Sequence, residues 1–228
     1  MTPPELDSEL NRQNYVRFTA RSLWDNLPLV VLAGFAFSLA ATPAIVTLYV
    51  ARPFATVVIA ALTIPPGWTA LLALEAGILS DVRTDIRAML GAFSRYWSRS
   101  VRLGLLVAAP LTLFLRALPA LGRPQTPPAA WLILAVTTFC LFLTLVLCLY
   151  AFPLLVLYNL EPGLALRNAY LLAIRHTGDT VGLLSMGVLF GLAVVYISSG
   201  LLLLLPAIWG LFVVSYCHIV VAEALTGA

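Results

Sequence analysis

The chain of 228 residues is 61% hydrophobic and only 10% charged, with a formal net charge of +3 and a mean hydropathy of +0.99. An ordinary soluble domain carries about 25% charged residues, so a water-soluble fold is excluded by the quantity of apolar surface alone. All 13 basic residues are Arg and they are scattered between apolar runs, which leaves no basic patch of the kind that binds nucleic acid.

The first 26 residues are polar and hold Arg12, Arg17 and Arg21. The apolar run after them is too long for a signal-peptide core, so the first span is expected to be retained. A spanning helix needs about 20 apolar residues to cross about 30 Å of hydrocarbon. The runs divide on that scale. Arg52-Pro53 splits the first into spans at 27–50 and 54–79, because Pro breaks the helix ladder and pushes the residue before it out of the α region. A third span covers 101–121 and ends in the turn-rich Gly122-Arg123-Pro124 sequence. The fourth, 130–158, is about 43 Å long at 1.5 Å per residue, so it should tilt or bend near Pro153. Ser198-Ser199-Gly200 divides the last run into 181–197 and 201–224. The expected fold is all-α and polytopic: a six-helix transmembrane bundle over 27–226, preceded by an amphipathic segment at 1–26.

Arginine placement orients the chain. With the N-terminus inside, Arg12, Arg17, Arg21, Arg83, Arg87, Arg95, Arg99, Arg102, Arg167 and Arg175 fall on the inner side. Arg52, Arg116 and Arg123 fall outside, which is the asymmetry of the positive-inside rule. Both termini are therefore expected in the cytoplasm, with the chain multi-pass in the inner or plasma membrane. Two connections on that side read as amphipathic helices. In 81–100, Val82, Ile86, Met89, Leu90, Phe93 and Trp97 recur at spacings of three and four; 161–177 is less regular. The N-terminal segment adds Val16, Ala20, Leu23 and Trp24 on one face. Such helices lie on anionic lipid or dock on a partner. Arg83, Arg87, Arg95 and Arg99 form the candidate basic belt.

Ionisable residues at membrane depth are costly and start as site candidates. Glu75 lies about four residues from the inner end of the second span, and His218 sits at a similar depth in the sixth. A hydrogen bond between them would make a proton-responsive pair; otherwise Glu75 snorkels and His218 bonds a backbone carbonyl. Asp25, Asp81, Asp85 and Asp179 all fall outside the spans as cut. Gly187 and Gly191 form a G-x-x-x-G in the fifth span, a face suited to close helix approach. Cys140, Cys148 and Cys217 lie in apolar runs without C-x-x-C or His–Cys spacing, so neither a metal nor another cofactor is expected. H-E-x-x-H, G-x-S-x-G and Walker A sequences are absent, so no enzymatic activity is expected.

Several short motifs in order along the chain resemble the YesL-like family of bacterial membrane proteins, a domain family of unknown function. They are Trp24-Asp25-Asn26-Leu27-Pro28, Pro66-Gly67-Trp68-Thr69-Ala70-Leu71, Phe93-Ser94-Arg95-Tyr96-Trp97-Ser98-Arg99-Ser100, Tyr150-Ala151-Phe152-Pro153-Leu154-Leu155 and Leu166-Arg167-Asn168-Ala169. The resemblance implies an accessory or assembly role beside a carbohydrate (ABC-type) transporter, with permease or ATPase subunits as partners and no catalytic residues carried over. The alternative is a substrate-binding membrane component that borrows a separate ATPase, with Trp68, Trp131 and Trp209 available to line its pocket.

Overall fold

The computed structural model describes residues 14–50, 53–80, 85–120 and 128–226. Among them the chain forms α1 (Tyr15–Asp25), α2 (Leu27–Tyr49), α3 (Pro53–Leu79), α4 (Ile86–Ala117), α5 (Pro128–Leu157), α6 (Pro162–Arg175), α7 (Thr177–Tyr196) and α8 (Leu205–Thr226). Short 3₁₀ turns cover Leu118–Ala120 and Ser199–Leu203. α2, α3, α4, α5, α7 and α8 are each long and apolar enough to cross a membrane. The chain is an all-α polytopic membrane protein. Arg12, Arg52, Arg83 and Arg123 of the sequence reading lie outside the described residues, as does Val82.

Local chemistry places the breaks. Asn26 ends α1 by turning both its backbone N–H and its side-chain amide onto the Ser22 carbonyl, while its own carbonyl accepts from Leu29 and Val30 to begin α2. Pro28 then sits in the first turn of α2, where its missing N–H costs nothing. Asn159 takes φ 51°, a left-handed conformation that Asn tolerates, and so terminates α5. Two residues later Glu161 and Pro162 open α6.

α3 is the central helix, packed against α2, α4, α5 and α8. It runs through Pro65 and Pro66 without ending. The Pro65 ring seats where a Cβ on Gly104 of α4 would otherwise stand, so this glycine lets the two helices close. Beside it the buried Ser100 hydroxyl donates to Thr69 at 2.7 Å, an interhelical polar bond at the same seam. Gly34 of α2 does the same for the tip of the α7–α8 hairpin: the Leu203 carbonyl occupies the space of its missing Cβ. Ser38 donates to the neighbouring Leu202 carbonyl at 3.1 Å. Irregular backbone inside a membrane protein survives where protein groups satisfy it, and this turn is satisfied in that way.

Three boundaries differ from the sequence reading. The amphipathic segment and the third span are one helix of 32 residues, because nothing between Ala92 and Leu103 breaks it and Arg99 finds partners. α7 starts at Thr177, which brings Asp179 into its first turn. The sixth span starts at Leu205, its first residues having become the 3₁₀ turn. The inner face of α1 also differs. Val16 and Trp24 are exposed, while Tyr15, Phe18, Thr19 and Leu23 face inward. The reason is α8: Thr19 donates to Ser215 at 3.0 Å and the Tyr15 ring packs tilted against Tyr216, 5.9 Å between centroids.

Candidate functional site

One end of the bundle carries α1, the start of α4, α6 and the end of α8; it is the basic end. Away from it, α3, α4, α5, α7 and α8 enclose a cavity of about 590 Å³. Its floor is aromatic. Trp68 of α3 meets Trp209 of α8 at 5.1 Å between ring centroids, and Phe37 of α2 meets Trp68 edge-on at 5.9 Å. Trp209 is fixed by its indole N–H, which donates to the Leu183 carbonyl at 3.1 Å. Gly187 makes that possible, since a Cβ there would stand 2.9 Å from the indole ring. Gly191, its partner in the G-x-x-x-G, would meet nothing within 4 Å. It faces the cavity, not a packed seam. The motif therefore serves one ring contact and one open wall.

The rest of the wall is Val, Ala, Ile, Leu, Pro and Phe with Gly104 and the Cys148 thiol. Water needs two to four polar partners to occupy such a site, and this wall supplies almost none. Trp68 and Trp209 line the cavity as the sequence suggested; Trp131 is exposed elsewhere on α5.

Glu75 lies apart from the cavity. It is 1% exposed, and neither carboxyl oxygen has a hydrogen-bond partner among the described residues. The carboxyl packs on Gly210 of α8, where a Cβ would come within 2.8 Å of Oε1 and still nearer Oε2. The Glu75–His218 bond considered from the sequence is not formed. His218 is eight residues beyond Gly210, about 12 Å further along α8 at 1.5 Å per residue. Equal estimated depth failed as a guide because α8 does not begin at the level where α3 begins. The 3₁₀ turn just before it already lies against the middle of α2, at Gly34 and Ser38. Glu75 does not snorkel either; it is enclosed by α3 and α8.

The candidate basic belt also separates. Arg87 and Arg95 are exposed, the latter 5.4 Å over the Tyr96 ring. Arg99 is committed to structure: it donates to the Asn159 side chain at 2.9 Å and pairs with Glu161 at 2.9 Å, tying α4 to the α5–α6 corner. Arg83 lies outside the described residues.

Two polar contacts were invisible in the sequence. Tyr216 donates to Asp179, and Tyr150 shares a 2.8 Å bond with Thr180, so α7 is held by its first turn to α8 and α5. Asp179 spoils no span because it meets a phenol there. Thr137, Thr138 and Thr144 bond carbonyls of their own preceding turns, the default for hydroxyls in spanning helices. His176 Nε2 is buried at the α6–α7 corner without a hydrogen-bond partner among the described residues. Among the described residues no three His, Cys, Asp or Glu come together as a metal site, and the three cysteines are free thiols. No family model, no curated protein and no solved structure matches the chain.

Proposed function

We propose that the chain is a non-enzymatic accessory or assembly subunit of a membrane transport system, docking partner subunits through its basic end. The observation that carries this reading is the outer face of α6. Its inner face buries Ala165, Ala169, Leu172 and Ala173 against α5. Its outer face leaves Leu164, Leu171 and Ile174 more than half exposed, with Arg167 among them. Leu90 and Trp97 are further exposed apolar residues on α4. An amphipathic helix already packed on one side and still apolar on the other suits a partner's surface or the lipid interface. The link to carbohydrate uptake, and the cytoplasmic side of the dock, rest on the YesL-like motifs and on arginine placement.

The second reading, a ligand-capturing component with a borrowed ATPase, draws support from the cavity. Its wall suits an apolar molecule and is poorly furnished for a sugar.

Purification in mild detergent, with co-purifying subunits identified, tests the first reading. A permease or ATPase is expected with the parent protein. Changing Leu164, Leu171 and Ile174 together to Ser should cut its recovery at least fivefold without changing the yield of the chain. Equal recovery from both would remove the docking role of α6.

A further inference from the structure

We infer that the cavity between α3, α4, α5, α7 and α8 seats one hydrocarbon chain of a bilayer phospholipid, entering sideways between α5 and α7. The inference is independent of the docking reading above.

Four observations point to this occupant. The first is place. The lining of α3 runs from Val57 to Trp68, about 16 Å at 1.5 Å per residue. That is about half of a 30 Å hydrocarbon core, the depth of a single leaflet. The second is access. Leu145 of α5 and Val188 of α7 both line the cavity and are solvent-exposed in the bundle. Both lie within apolar spanning helices, so an opening between them gives onto lipid.

The third is chemistry. No charged, Ser, Thr, Asn or Gln side chain contributes to the wall. The indole N–H of Trp209 is already engaged with Leu183. Nothing is left to recognise a headgroup or to hold water, and dispersion with hydrocarbon is what the wall offers. The fourth is size. An apolar cavity of about 150 Å³ in an unrelated protein accepts a benzene ring; here about 590 Å³ is free in a shape one leaflet long. Gly191 leaves open space on the α7 wall, where a Cβ would meet nothing within 4 Å.

The two tryptophans of the floor make the occupant measurable. Trp24, Trp97 and Trp131 are exposed elsewhere and are first replaced by Phe, leaving Trp68 and Trp209. This protein is reconstituted into phosphatidylcholine vesicles whose acyl chains carry bromine at mid-chain, and its fluorescence is compared with that in unbrominated vesicles. At least twofold quenching is expected. Filling the cavity should reduce that quenching by half or more. Two variants on different helices do so: Gly191→Phe, which enters open space, and Ala108→Leu on the facing wall. If Gly191→Phe fails to fold, Ala108→Leu decides. Absent quenching in the parent, or equal quenching in a folded, filled variant, would overturn the inference and leave the cavity to a protein side chain or to rearrangement of α7.

Discussion

Glu75 is the residue where the physics is most exposed. A carboxyl enclosed between two helices, with no donor near it, is costly if ionised and merely unsatisfied if not. Its tolerance depends on Gly210, which vacates the space that the carboxyl fills. Gly210→Ala should therefore destabilise the protein by about 1–3 kcal/mol through overpacking. Glu75→Ala in the same chain should relieve the clash, giving a coupling of about 0.5–3 kcal/mol. The cycle between Glu75→Gln and His218→Gln should instead be additive, because His218 lies about 12 Å along α8 from Gly210, where the Glu75 carboxyl packs. Thermal unfolding in detergent measures both cycles. Coupling at 75 and 218 with additivity at 75 and 210 would reverse the assignment. Glu75 was visible as a candidate in the sequence, since a carboxylate in an apolar run stands out. Its neighbour was not, because α3 and α8 are apolar on all sides and such helices carry no stripe that declares which face is inward.

At the scale of elements, the spans could be read from length and hydropathy, and two of the boundary errors share one cause. In each, a charge near the boundary has a partner. Arg99 is met by Glu161 and Asn159, so α4 continues through it; Asp179 is met by Tyr216, so α7 begins before it. A charge ends a span only when it must reach water, and pairing across helices is not written in one segment. The glycines show the same limit. G-x-x-x-G marks Gly187 and Gly191 as equals, yet the close approaches occur at Gly187, Gly34 and Gly104. Gly34→Ala should cost about 1–3 kcal/mol, because a backbone carbonyl, which cannot swing aside, occupies the space. Gly191→Ala should be neutral or slightly stabilising, since it enters open space and favours helix. Equal effects at the two sites in thermal unfolding would contradict this account of the hairpin tip.

For the whole molecule, the six candidate crossings follow from helix length and hydropathy, and the clustering of α1, α6 and the start of α4 at one end from packing. The side of the membrane on which that end lies is a proposal from arginine placement, and both the proposed docking role of α6 and the leaflet facing the cavity depend on it. The cavity itself could not have been foreseen in the sequence. It arises from how far α7 stands from α4 and α5, a distance set by Trp209, Gly187 and the polar contacts at Asp179 and Thr180.

Orientation is tested most directly by thiol labelling. Cys140, Cys148 and Cys217 are replaced, and single cysteines are placed at Leu90, exposed on α4, and at Gly163, exposed at the start of α6. A membrane-impermeant reagent should leave both unlabelled in intact cells and label both after permeabilisation. Labelling of either position from outside intact cells would contradict the cytoplasmic placement of the basic end, and with it the proposed dock.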